Sequence, residues 1–199
     1  MSAIGIDPGI HGALTHYERG RVVDVLDMPT FSMVINKKTR DRLDMVSLTE
    51  YFTLKKMMGV QIVMIEAVGG RPKQSASAAF VFGYTVGALF ALCAQIRLPV
   101  TTVPAAVWKK VLQVPGKMDK HTKKQDPRYA SKIITRADEL LPEDRHLWRG
   151  PNGGLKVDRA ESALLAMYGE NYQLRVPGNI EHPGLAEYRL IYEKADVGA

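Results

Sequence analysis

The sequence predicts an α/β domain: a mixed five-stranded sheet, antiparallel hairpin strands followed by parallel ones, flanked by helices. Two observations carry this. Three short apolar runs at the start, Ala3 to Asp7, Gly12 to Glu18 and Arg21 to Met28, are separated by turns too short for anything but antiparallel neighbours. Further on, Val60 to Glu66 is a continuous apolar run between helical segments, the pattern of a central strand covered on both faces.

The remaining elements follow in chain order. Gly20 marks the turn after the second strand, and residues 29 to 46 read as polar and irregular, with a basic cluster of Lys37, Lys38, Arg40 and Arg42. Ser47, three residues before Glu50, forms a capping-box pattern, so a helix is expected from Ser47 to Met58, ended by Gly59. A long helix is expected from Ser75 to Ile96, in which Ser75, Ala79, Gly83, Gly87 and Ala91 recur every four residues as one narrow small-residue stripe. Interior glycine costs a helix about 1 kcal/mol relative to alanine, so the stripe implies a close backbone contact, with the domain's own sheet or with a second copy. Val100 to Val103 is a short strand, Pro104 opens a helix at a favoured first position, and another helix runs from Pro127 to Leu141. A Pro- and Gly-rich loop over residues 142 to 157 delivers the last helix, which begins at Asp158. Residues 1 to 170 are expected to form the domain and 171 to 199 a C-terminal tail.

With 199 residues, 46% hydrophobic and 24% charged, the composition is that of an ordinary globular protein with one sizeable core. The single cysteine, Cys93, excludes an intramolecular disulfide and a cysteine zinc cluster, and reads as inert packing. Residues 74 to 96 contain no charge and meet the length of a membrane span. Their Gln, Ser, Thr and Tyr content and the flanking α/β alternation favour a buried helix instead, and no secretory segment precedes the first strand, so a cytoplasmic protein is expected. The net charge of +6 is concentrated: residues 109 to 136 hold seven Lys and two Arg against two Asp, a local excess of +7. That points to a polyanionic partner.

Four carboxylates carry the chemistry: Asp7 in GIDPGIHGAL, Glu66 ending VQIVMIEA, and Asp158 with Glu161 in KVDRAESALLA. The first two end predicted strands, and the last two, at i and i+3, face one way from a helix. Asp7 is also a common turn residue, and Asp158 and Glu161 would complement a helix dipole. Glu66 is harder to explain structurally, because an acid at the end of a buried strand needs a metal or a base such as Arg71 or Lys73 beside it. Hard oxygen ligands suit Mg²⁺ or Mn²⁺. His11 and His16 read as hairpin surface residues.

Together, GIDPG with its hairpin, the IEA strand end, the small-residue helix and DRAESALLA resemble the RuvC-like Holliday junction resolvases of the RNase H-like superfamily, the phage type most of all, across residues 2 to 169. The resemblance implies an RNase H-like fold and a homodimeric endonuclease cutting branched DNA by two-metal hydrolysis that leaves 5′-phosphate ends. It implies Asp7, Glu66, Asp158 and Glu161 as ligands of two Mg²⁺ or Mn²⁺ ions. Lysines near the scissile phosphate are also implied, with Lys109 fitting the first position and Lys117, Lys120 and Lys123 competing for the second; Lys120 is assigned as the second catalytic lysine. Lys110 and Lys124 join these, with Arg71 and Lys73, as candidate DNA contacts. One departure stands out: the aromatic residue usual after the strand-end acid is missing from Val68-Gly69-Gly70-Arg71-Pro72-Lys73, so relaxed sequence selectivity is expected, with Phe80, Phe82 or Trp108 the alternative base readers. Three other functions compete with this one: a RuvC-like nuclease acting on RNA, an actin or sugar-kinase-like ATPase, which needs a duplicated domain, and a non-catalytic nucleic-acid-binding module of the same fold, which the complete acid set disfavours.

Overall fold

The computed structural model describes residues 1–35, 37–67, 75–114 and 128–173. Its central sheet has the order β3-β2-β1-β6-β7, made of β1 (Ser2–Asp7), β2 (Ala13–Glu18), β3 (Arg21–Asp27), β6 (Ile62–Ala67) and β7 (Val100–Pro104). β1 pairs antiparallel with β2, and β2 with β3; β6 lies parallel to β1 and to β7. The mixed five-stranded sheet expected from the sequence is therefore the one observed.

Strand periodicity divides the core. Ile4, Ile6, Val63 and Ile65 face α1 (Met45–Met57) and α2 (Ala76–Gln95), packing with Leu48, Phe52, Leu89 and Leu92. Ala3, Ile62 and Met64 face the other way, toward α3 (Ala105–Val111), α4 (Tyr129–Leu140) and α5 (Val157–Tyr168), and share a core with Trp108, Ile133, Ala163 and Leu164. Gly5 lies on this second face, where an added Cβ would come 2.2 Å from the Ser162 carbonyl oxygen and 2.3 Å from the Ala166 nitrogen. Only glycine lets α5 lie directly on β1. Ser162 ties the helix further to β2 through a 2.7 Å hydrogen bond with Thr15 Oγ1.

Four expectations need correction. Residues 29 to 46 are not irregular: Thr30–Ile35 (β4) and Lys38–Leu43 (β5) form a separate antiparallel ribbon, with Lys37 at a positive φ of 60° in the turn. Lys, Arg and Asp are weak strand formers, which hid β5. The first helix begins two residues early, because the Asp44 carboxylate, not Ser47, accepts from the Val46 and Ser47 N–H groups. His16 is fully buried, with Nε2 2.7 Å from Ser2 Oγ, whereas His11 is exposed as expected.

The fourth concerns α2. It is the one helix among the described residues long and apolar enough to cross a membrane, yet only 22% of that span is buried. Gly83 and Gly87 have nothing within 4 Å of an added Cβ, and Ser75, Ala79 and Ala91 are exposed with them. The stripe thus does not pack on the domain's own sheet. Cys93 does lie in the core, where burial pushes its thiol up to about 12. A π-helical turn, Gly169–Gln173, closes the described chain, so the expected tail beyond residue 173 lies outside it.

Candidate metal centre

Alternation along β1 sets Asp7 on the same face as Ala3 and Gly5, under α5. The parallel register pairs Ile6 with Ile65, and its next step sets Asp7 beside Glu66, so two acids sit at the same end of adjacent strands. On α5, Asp158 and Glu161 are one turn apart. The close approach allowed by Gly5 brings them over β1, and oxygen atoms of Asp7, Asp158 and Glu161 lie within 4.8 Å of one another. Arg159 fixes the start of the helix by gripping both oxygens of Asp27, with Nη2 2.8 Å from Oδ2, and by donating to the Leu147 carbonyl at 3.0 Å.

Glu66 joins through a different set of contacts. Its Oε2 accepts from Trp108 Nε1 at 3.2 Å and lies 3.5 Å from Lys109 Nζ. Lys109 also donates to Glu161 Oε1 at 2.6 Å, and the Tyr129 hydroxyl donates to that same oxygen. The lysine lies over the Trp108 ring, 4.9 Å from its centroid, and 3.0 Å from the Tyr129 oxygen. Among the described residues Lys109 is the cation beside Glu66; Arg71 and Lys73, the partners expected from the sequence, lie outside the described residues.

Among the described residues, carboxylates crowd together here. Burial first, then the charges of Asp158, Glu161 and Glu66, push the Asp7 carboxyl up to about 7, opposed by a 3.3 Å hydrogen bond from the Gly9 N–H. Burial also raises Glu66, against the pull of Lys109. Carboxylates crowded to this degree are stabilised by a bound cation. An all-oxygen donor set suits Mg²⁺ or Mn²⁺. Asp158 borders a cleft of about 250 Å³ that is also lined by Ile10, His11, Thr30, Lys156 and Arg159.

All four predicted acids thus converge, with Lys109 among them. Lys110 is exposed on the end of α3, while Lys117, Lys120, Lys123 and Lys124 lie outside the described residues. Trp108 is fully buried and so cannot stack on a base; it is a hydrogen-bond donor to Glu66. Phe80 is exposed and Phe82 is half-buried. Sequence reasoning missed Tyr129, because a tyrosine on the apolar face of a helix carries no mark of its partner across the fold.

The sheet order and its flanking helices define an RNase H-like fold. Within that class the form is RuvC-like. A structure of Thermus thermophilus RuvC in complex with a Holliday junction substrate superimposes with a TM-score of 0.51 at 14% identity, over 85% of this chain and 94% of that one. Another T. thermophilus RuvC structure gives 0.49 at 17% identity, over 85% and 95%. No protein-family model matches the chain, and no curated protein matches it by sequence.

Proposed function

We propose that this protein is a metal-dependent, structure-selective DNA endonuclease that cuts four-way junctions and other branched DNA. The observation that carries the reading is the convergence of Asp7, Glu66, Asp158 and Glu161 on the RuvC-like fold, with Asp7 held well above the usual carboxylate range. Asp7, Asp158 and Glu161 would hold Mg²⁺ or Mn²⁺ directly, with Glu66 completing the shell. Two such ions would supply an activated water and neutralise charge developing on the phosphate. Lys109, desolvated against Trp108 and Tyr129, orients Glu161 and Glu66 and offers a cation next to the phosphate. Lys110, Lys117, Lys120, Lys123, Lys124, Arg71 and Lys73 would contact the DNA backbone, Lys120 as the second lysine near the cut.

The nuclease unit spans residues 1 to 170, residues 171 to 199 are a tail, and the protein acts in the cytoplasm. Two symmetric cuts call for two copies. The exposed stripe on α2, flanked by Phe80 at 71% exposure and Tyr84 at 45%, is the surface offered for the homodimer. Gly83→Leu should block that approach and yield a folded monomer in sedimentation; a dimer of unchanged stability removes this interface.

Labelled four-way, fork, linear and RNA substrates, incubated with Mg²⁺, EDTA or Ca²⁺, test the activity. Junctions and forks should be nicked with Mg²⁺ alone, at many sequences, leaving 5′-phosphates. Equal cutting of linear duplex, or none with Mg²⁺, would sink the reading.

A further inference from the structure

We propose that the β4–β5 ribbon is a nucleic-acid-binding arm that grips a duplex limb of the substrate beyond the cleft; this rests on the endonuclease reading above. The register pairs Phe31 with Arg42 and Met33 with Arg40. Directly opposite residues share a face, and alternation adds Lys38 to it. One face of the ribbon therefore interleaves two apolar side chains with three cations. The ribbon's one acid, Asp41, pairs with Ser32 and so lies on the other face, where it accepts from Ser32 Oγ at 2.6 Å and faces His11 at 3.9 Å.

Phe31 is 49% exposed and Met33 40%. Lys37, Lys38, Arg40 and Arg42 make no ion pair or side-chain hydrogen bond among the described residues. Four unspent cations against one acid disfavour self-association by like-charge repulsion and fit a polyanion. The position fits as well. Met28 and Leu43 anchor the ribbon's base in the core, the Asp44 N–H bonds to the Pro29 carbonyl at 2.9 Å, and Thr30 lines the same cleft as Asp158. From there six-residue strands at about 3.3 Å per residue reach about 20 Å, or about six base pairs at 3.4 Å each. A two-stranded ribbon fits the major groove, where the cations meet phosphates and Phe31 and Met33 meet apolar base edges.

The test compares the intact chain with a Lys38→Gln, Arg40→Gln, Arg42→Gln variant, both checked for equal thermal melting. Binding to a four-way junction with long arms is followed by anisotropy in EDTA across a salt series. The variant should bind about tenfold or more weakly, with the slope of log affinity against log salt flatter by about 2 to 3, at about 0.9 per lost phosphate contact. Replacing both arginines by lysine should keep the slope. With arms cut to about four base pairs, the parent and the Gln variant should converge. Equal affinity and slope on long arms, with the parent still cutting junctions, overturns the arm and leaves the nuclease. A parent that binds but never cuts, with the Gln variant weakened, overturns the nuclease and leaves the arm.

Discussion

Two lysines in this molecule are drawn out of water beside a tyrosine and a carboxylate, and their surroundings differ in one respect. Among the described residues Lys55 of α1 forms its ion pair with Asp24 alone; the Tyr51 hydroxyl donates to the same acid at 3.0 Å, and His16 Nδ1 lies 3.8 Å away. Burial would raise the Asp24 carboxyl, but His16, Lys55 and Tyr51 together hold it below its ordinary range. Lys109 has the same kind of neighbours, Tyr129 and Glu161, but also Glu66, and Glu161 in turn is clustered with Asp7 and Asp158. Among the described residues Lys109 is the ammonium that meets Glu66 and Glu161, and the Asp7 carboxyl, crowded by three other acids, rises to about 7. A balanced pair is scaffold, whereas an unbalanced cluster is a place for a cation.

The most severe break of this comparison is Asp7→Asn. We expect cleavage to fall at least about a hundredfold, roughly 2.7 kcal/mol of barrier, while junction binding persists through phosphate contacts. Mg²⁺-dependent cutting at the normal rate would remove Asp7 from the site. The matching change at the balanced pair, Asp24→Ala, leaves Lys55 desolvated without its partner. Because Asp24 is partly exposed and screened, we expect about 2 kcal/mol of lost stability, less than for a fully buried pair, and cleavage within about twofold of normal.

The two clusters should also respond to pH with opposite sign. Asp7 has a raised folded value, so the stability it contributes is complete below its unfolded 3.8 and is lost as pH rises through about 7. Asp24 has a depressed folded value; its contribution is complete above 3.8 and is lost on acidification below that. In EDTA, raising pH from 5 to 8 should therefore lower stability by about 1 to 2 kcal/mol, since a tenfold difference in proton affinity between folded and unfolded chains is worth about 1.4 kcal/mol. Mg²⁺ should restore it, and Asp7→Asn should flatten the dependence. A flat melting profile for the unaltered protein between pH 5 and 8 would contradict the excess of charge.

Much of this contrast is legible in the chain. Asp7 and Glu66 announce themselves because acids end apolar strands where burial demands a partner, and Asp158 with Glu161 because helical spacing aligns them. Their neighbours do not, since Trp108 and Tyr129 reach Glu66 and Glu161 across 42 and 32 residues of sequence. The burial of His16 is hidden for the same reason: strand alternation cannot tell which face of a hairpin a helix will cover. The β4–β5 ribbon is hard to see in the sequence because the cations of β5 alternate with Thr39 and Asp41, so that strand shows no apolar face of its own. Uncharged composition around Gly83 suggests burial, but only the fold shows that the stripe faces outward.

The smallest effect sharpens the comparison most. Tyr51→Phe and Tyr129→Phe each remove one hydroxyl from a lysine–carboxylate pair and keep the ring that packs beside the lysine. Each loses a hydrogen bond to a charged oxygen, and with the ring kept the net cost to folding should be about 1 kcal/mol. Tyr51→Phe should do nothing more, because Asp24 keeps Lys55. Tyr129→Phe frees Glu161 Oε1 from one of its two donors and loosens Lys109, which also contacts the Tyr129 oxygen. Cleavage should fall several-fold and the Mg²⁺ needed for half-maximal activity should shift, a readout that a purely structural tyrosine would leave unmoved. Trp108, stacked on Lys109, reports the same event by its fluorescence in a Trp148→Phe background titrated with Ca²⁺. If both phenylalanine variants change only stability, Tyr129 is scaffold like Tyr51, and the Lys109 cluster holds its acids without its help.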